Sequence, residues 1–146
     1  DGDYLQQTCA CQDALSLVDI FMPNAREARL ITETGDVAEA VQKLTERAKL
    51  VVVKDGANGA WVGQGGEILH APAIAVGPVV DTTGAGDCFN AGFLYGQVVE
   101  GAPLATSARY GNICGGLSVT AVGGATAAPT YAELMAQMAV MNTPSG

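Results

Sequence analysis

Apolar residues in the first half of the chain form short unbroken runs that alternate with stretches of helical spacing. The predicted elements are, in order, a helix over residues 5–17, a strand over residues 18–22, helices over residues 24–32 and 36–48, and a strand over residues 50–53. The first strand ends at Pro23, and Asn24 is a favourable N-cap for the helix that follows. Strand, helix and strand in this order predict a βαβ unit of an α/β fold, with a parallel, covered sheet.

The second half of the chain predicts a hairpin followed by helices. Between Gly56 and Gly77 the apolar pieces are short and separated by glycine-rich turns, which predicts a hairpin at a sheet edge. Val79 and Val80 predict the end of another strand. Helical spacing then returns over residues 84–100, 103–122 and 131–141. Pro103 fits the first turn of the second of these helices.

The composition limits the classes of function. The chain has 146 residues, of which 49% are hydrophobic, so it can bury the core of one compact soluble domain. Seven Lys and Arg against 15 Asp and Glu give a formal net charge of -8, which argues against electrostatic binding to nucleic acid or an anionic membrane. No apolar run reaches about 18 residues, so no membrane span is expected. Backbone N–H groups and metal ions would have to hold any bound phosphate.

The four cysteines show no spacing typical of a disulfide framework, and no signal-like leader precedes them, so the cytoplasm is the expected setting. Cys9 and Cys11 could form half of a metal site. Helix packing explains this pair better, because the one histidine, His70, is remote in the sequence.

Residues 81–87 read Asp-Thr-Thr-Gly-Ala-Gly-Asp and lie at the predicted start of a helix. The first N–H groups of a helix lack internal partners and carry the positive end of its dipole, so this start is a candidate anion site. Gly84, Ala85 and Gly86 leave the approach clear. A carboxylate there would repel a phosphate unless it served a reacting hydroxyl, which makes Asp87 a candidate base for phosphoryl transfer. The structural alternative is that Asp87 stabilises the helix dipole, by under about 1 kcal/mol.

The same string resembles the C-terminal signature of the ribokinase-like (PfkB) carbohydrate kinases, and the resemblance extends over nearly the entire chain. It implies a three-layer α/β/α fold with a mostly parallel sheet, of which this chain would be the C-terminal, nucleotide-side part. It also implies transfer of the γ-phosphoryl group of ATP to a hydroxyl of a sugar or sugar-like acceptor. Asp87 would take the hydroxyl proton, and the N–H groups of Gly84, Ala85 and Gly86 would stabilise the developing charge.

Other segments match further motifs of that family. Asn24 and Glu27 resemble its Asn-x-x-Glu motif, in which the glutamate helps to place Mg²⁺ and the asparagine lies near the phosphates. The alternative for this pair is an N-cap with a capping-box glutamate. Lys54 and Gly56 resemble the segment beneath the nucleotide, and the alternative for Lys54 is a solvated strand end. Asn112 resembles a nucleotide-facing position on the helix that lines the adenine pocket, although helix packing explains the surrounding glycines equally well.

Two further positions resemble a cation site of the family. Asp81 and Thr83 match residues that supply oxygens to a monovalent cation such as K⁺ in many relatives. Gly123 and Gly124 resemble the loop that closes the same region.

The resemblance also implies which parts of the family pattern are missing. Family members are much longer, and their N-terminal part carries a Gly-Gly sugar-binding motif, most acceptor contacts and a lid. We therefore expect residues 1–146 to be the ATP-binding and catalytic portion, inactive alone and prone to self-association or homo-oligomer formation through an exposed cut surface. Two other interpretations stay open: a noncatalytic nucleotide- or anion-binding module, and a vitamin kinase of the same fold.

Overall fold

The chain divides into two compact units, Asp1–His70 and Ala71–Gly146. Its computed structural model describes residues 14–142. Most of the helix predicted over residues 5–17, together with Cys9 and Cys11, lies outside the described residues. The end of that segment is a short 3₁₀ helix, Leu15–Leu17.

The first unit is built on a mixed four-stranded sheet with the order β1-β2-β3-β4. Its elements are β1 (Ile20–Phe21), α1 (Ala25–Thr32), α2 (Val37–Thr45), β2 (Leu50–Lys54), a 3₁₀ turn (Gly56–Asn58), β3 (Ala60–Gln64) and β4 (Glu67–Ala71). β1 pairs in parallel with β2, whereas β3 pairs antiparallel with β2. The predicted βαβ unit and the predicted edge hairpin are both confirmed.

Local capping and small residues explain why the helices of this unit begin and pack where they do. The side chain of Asp36 accepts the N–H of Glu39 at 2.9 Å, which starts α2. The buried core that joins the helices to β2 consists mainly of Ala28, Ala40, Val41, Leu44, Val51 and Val53. Gly63 lets α2 approach β3 closely, because a Cβ atom at Gly63 would lie 2.6 Å from the side chains of Val41 and Thr45.

The second unit is helical. Its elements are α3 (Ala85–Leu94), a π-helical segment (Tyr95–Glu100), α4 (Leu104–Ser118), a 3₁₀ turn (Gly124–Ala127) and α5 (Tyr131–Asn142). Glycines allow α3 and α4 to pack closely, since a Cβ atom at Gly92 would lie 2.6 Å from the carbonyl oxygen of Tyr110. Among the buried residues of its core are Cys88, Ile113, Cys114 and Leu134.

Three sequence predictions about this unit need correction. Val79 and Val80 are not in a strand; they are exposed, and the N–H of Val80 donates to the carbonyl of Val119 at 2.7 Å instead of to a neighbouring strand. The helix predicted over residues 84–100 changes from α to π geometry at Tyr95. Pro103 caps α4 from outside its first turn, and the helix ends at Ser118. Within the described residues, no helix combines the length and apolarity needed to cross a membrane.

Candidate active site

Asn24 and Glu27, in the first unit, satisfy each other's main-chain N–H groups. The Oδ1 atom of Asn24 accepts the N–H of Glu27 at 2.9 Å, and Oε2 of Glu27 accepts the N–H of Asn24 at 2.8 Å. This is a complete capping box at the start of α1. The structural alternative for the pair is therefore present in the fold. Both side chains are exposed, and a capping carboxylate keeps lone pairs with which to bind water or a metal ion.

Lys54 and Gly56 lie beside this capping box. The N–H of Lys54 donates to the carbonyl of Pro23 at 3.0 Å, and Asn24 and Lys54 form an isolated parallel bridge. Gly56 adopts a φ of +53°, and nothing lies within 4 Å of the position that its Cβ atom would occupy. The fold thus brings the candidates of the first unit together at the carboxyl ends of β1 and β2. Ligands of open α/β sheets bind at this edge.

Helix α3, in the second unit, begins at a glycine in the left-handed conformation. Gly84 caps it with a φ of +75°, in the left-handed region that favours glycine. The N–H of Ala85 donates to the carbonyl of Thr82 at 3.2 Å. In the part of the chain that the structure covers, no hydrogen bond uses the N–H groups of Gly84, Gly86 or Asp87. These donors are available at the positive end of the helix.

Asp87 is the third residue of α3, and it is exposed on the same first turn as the available N–H groups. Gly86, beside it, is also exposed. The helix start therefore combines open N–H donors with a carboxylate that solvent or a ligand can reach. Such a pairing can hold an anion while the carboxylate accepts a proton from a group next to that anion.

Asp81 organises the loop that precedes α3. Its Oδ1 atom accepts the N–H of Thr83 at 2.9 Å, and its Oδ2 atom accepts the N–H of Gly123 at 3.3 Å. The Thr83 amide first, and the Gly123 amide after it, hold the pKa of the Asp81 carboxyl below its usual range. Gly124 packs on Thr83, because a Cβ atom at Gly124 would lie 3.3 Å from the Thr83 side chain. Gly123 and Gly124, which resemble the loop that closes this region in the family, lie against Asp81 and Thr83.

Asn112 makes hydrogen bonds within the protein that its candidate role did not predict. Its side chain is buried, and Nδ2 donates to the carbonyls of Ala71 and Pro72 at 3.0 and 2.9 Å. Both amide hydrogens are thereby used within the protein. A hydrogen bond from Nδ2 to a nucleotide would have to replace one of these two bonds. Nucleotide binding by Asn112 stays a prediction.

Sequence reasoning missed one polar group near Asp87. The Oδ1 atom of Asn90 is buried and has no hydrogen-bond partner among the described residues. The signal was an amide residue within the otherwise apolar run Cys-Phe-Asn-Ala-Gly-Phe of α3. Groups of three or more His, Cys, Asp or Glu side chains that could hold a metal ion do not occur in residues 14–142.

Comparison with known proteins identifies the family of this chain. A model of the pfkB family carbohydrate kinases matches residues 3–131. The chain belongs to the pfkB family. It is 36% identical to a fructokinase of Klebsiella pneumoniae over 132 residues, which cover 85% of this chain and 43% of that protein. It is 38% identical to a cytidine kinase of Thermococcus kodakarensis over 112 residues, which cover 75% of this chain and 40% of that protein.

Solved structures of pfkB-type kinases confirm the ribokinase-like α/β fold. A putative ribokinase II of E. coli, crystallised in complex with ATP and Mg²⁺, matches with a TM-score of 0.82 at 29% identity. The match covers 94% of this chain and 44% of that structure. The chain therefore spans less than half the length of these pfkB relatives.

Proposed function

We propose that this chain is the ATP-binding and catalytic portion of a kinase that transfers the γ-phosphoryl group of ATP to a hydroxyl of a sugar or sugar-like acceptor. The observation that carries this proposal is the start of α3, where unpaired N–H groups stand next to the exposed carboxylate of Asp87. Membership of the pfkB family supports the same chemistry.

The start of α3 has two roles in this proposal. The N–H groups of Gly84, Ala85 and Gly86 hold the negative charge that develops on the transferred phosphoryl group. The N–H of Ala85 donates to the carbonyl of Thr82 at the long distance of 3.2 Å. Because this hydrogen bond is long, exchanging it for one to a ligand should cost little free energy. Asp87 accepts the proton of the attacking hydroxyl.

The candidates of the first unit bind and orient the nucleotide in this proposal. Glu27 helps to place Mg²⁺, which neutralises the phosphates when it is bound and so suits a chain with few Lys and Arg residues. Asn24 and Lys54 lie next to the phosphates, and Gly56 lets the nucleotide approach the main chain. Their common position at the carboxyl ends of β1 and β2 supports these roles.

The loop that contains Asp81 has an orienting role. Asp81 and Thr83 hold the segment before α3, and oxygens of this segment could bind a monovalent cation such as K⁺. The hydrogen bonds from Thr83 and Gly123 to Asp81 support the first part of this role, because they fix the segment that leads into the anion site.

We further propose that the acceptor-binding part and lid are supplied by sequence outside these residues. This chain covers only 43% of the fructokinase and 40% of the cytidine kinase that it matches, which supports this division. Without the acceptor contacts the 146-residue chain should transfer phosphate slowly or not at all, because orientation supplies much of the rate. The relatives include kinases for both a sugar and a nucleoside, so the test uses acceptors of both classes.

The test compares Asp87→Asn with wild type in the full-length protein. We expect kcat to fall by about 10²- to 10⁴-fold while ATP binding, measured by calorimetry, is retained. Asp19→Asn is the matched control, since it makes the same chemical change at an exposed residue that pairs with Lys49 among the described residues. Fructose, ribose and cytidine serve as acceptors. Unchanged turnover in Asp87→Asn would refute the base role and leave a first-turn carboxylate that only stabilises α3.

A further inference from the structure

Asn90 carries a polar atom that the fold buries without a partner. Its side-chain oxygen Oδ1 has almost no accessible surface and accepts no hydrogen bond from the described residues. Buried acceptors are nearly always paired, because an unpaired one loses its bonds to water and gains none in return. An unpaired acceptor of this kind calls for an explanation, and a partner that forms only during the reaction is one.

The position of Asn90 on α3 suggests what that use is. Asn90 follows Asp87 by three residues, so the two Cβ atoms lie about 5–6 Å apart on one side of the helix. The other side of α3 is packed, with Phe89 and Phe93 buried. Asn90 is partly buried between that packed side and the exposed side that carries Asp87.

We propose that Asn90 is a positioning residue for proton transfer, whose Oδ1 atom accepts a hydrogen bond from Asp87 after Asp87 has taken the acceptor's proton. This inference rests on the function proposed above. In the step, the O–H bond of the acceptor breaks and an O–H bond forms on the Asp87 carboxyl. The acceptor oxygen bonds to the γ-phosphorus, and the bond from that phosphorus to the bridging oxygen breaks, with its electron pair leaving on ADP.

The reaction thus creates the hydrogen-bond donor that the Oδ1 atom of Asn90 lacks. An ionised carboxylate can only accept hydrogen bonds, whereas a protonated carboxyl group also donates one. Asn90 therefore gains its partner only as the proton arrives on Asp87. Because Asp87 is exposed, it can return the proton to solvent after the products leave.

An interaction that forms only along the reaction should change turnover and not ground-state binding. Asn90→Leu removes the polar atoms at similar volume. We expect kcat of the full-length protein to fall by about three- to tenfold, with KM for ATP and for the acceptor unchanged. The thermal midpoint should stay the same or rise, because the unpaired oxygen is gone. Asn142→Leu, an amide at the exposed end of α5, is the control and should leave kcat unchanged.

A double-mutant cycle with Asp87→Asn separates this inference from the proposed function. If Asn90 acts through the proton on Asp87, Asn90→Leu should have no further effect on kcat in the Asp87→Asn background. An equal loss in both backgrounds would overturn the inference, and so would an unchanged kcat in Asn90→Leu alone. Unchanged turnover in Asp87→Asn would instead overturn the proposed function itself.

Folding of the variants is controlled in the same experiment. Should Asn90→Leu fail to fold, Asn90→Ala replaces it in the cycle, with kcat expressed per mole of enzyme that binds ATP. A loss of kcat that vanishes after this correction would mean a purely structural role and would overturn the inference.

Discussion

The carboxylate of Asp81 accepts a hydrogen bond from the main-chain N–H of Gly123, 42 residues further along the chain, at 3.3 Å. Its other oxygen accepts the N–H of Thr83 at 2.9 Å. One side chain thereby ties the segment that leads into α3 to the loop that follows α4. Gly123 adopts a φ of +127° and Gly124 a φ of +53°, which other residues rarely adopt, so this loop depends on both glycines.

The Asp81 contacts predict a dependence of stability on acidity. The Thr83 amide, and after it the Gly123 amide, lower the pKa of Asp81 from its ordinary value of 3.8. The stabilisation is therefore present above that value and is lost as the pH falls through the lowered pKa. Asp81→Asn should unfold more easily at neutral pH and should lose less stability on acidification than the wild type. Urea unfolding at a series of pH values measures this, and parallel curves for the two proteins would contradict it.

Substitutions of Asn24 can separate helix capping from nucleotide binding. Asn24→Ala should lower the free energy of unfolding by about 1 kcal/mol, because the N–H of Glu27 loses its acceptor. Asn24→Asp should keep the cap, since Asp caps as well as Asn, and should keep the stability. In the full-length protein its added charge should nevertheless raise KM for ATP by repelling the phosphates. If KM stays the same in both variants, Asn24 acts only as a cap.

Gly92 should tolerate no side chain at the α3–α4 contact. A Cβ atom there would lie 2.6 Å from the main-chain oxygen of Tyr110, so Gly92→Ala must push the helices apart. We expect a loss of about 1–3 kcal/mol in the free energy of unfolding. Gly35→Ala is the matched control, because nothing lies within 4 Å of its Cβ position. Equal stability of the two variants in chemical denaturation would show that α3 and α4 are packed less closely than described.

Asn112→Ala tests whether this residue stabilises the fold or binds the nucleotide. The substitution leaves the carbonyls of Ala71 and Pro72 without the amide that they share, which should cost about 1–3 kcal/mol of stability. Because both amide hydrogens are used internally, the affinity for ATP of the folded variant should change little. Calorimetric titration with ATP, below the unfolding temperature of the variant, measures this affinity. A large loss of affinity at preserved stability would favour the nucleotide-facing role.

Several features of the fold could be predicted because their causes are local. The N-caps Asn24 and Asp36 bond to residues three positions ahead, and the strand over Leu50–Lys54 follows from an unbroken β-prone run. The strand predicted at Val79 and Val80 was wrong for the opposite reason. Their β-propensity is real, but a strand also needs a neighbouring strand, and Val80 bonds to Val119 instead.

The sequence by itself determined the α/β class, the helix starts and the candidate anion site at residues 81–87. Periodicity, capping and backbone freedom, which fix these features, act within a few residues. Tertiary structure decided which polar groups pair. The amide of Asn112 reaches carbonyls about 40 residues earlier, and Asp81 reaches Gly123. Such contacts depend on how distant segments pack, and packing is decided by the burial of the whole core and not by any local pattern.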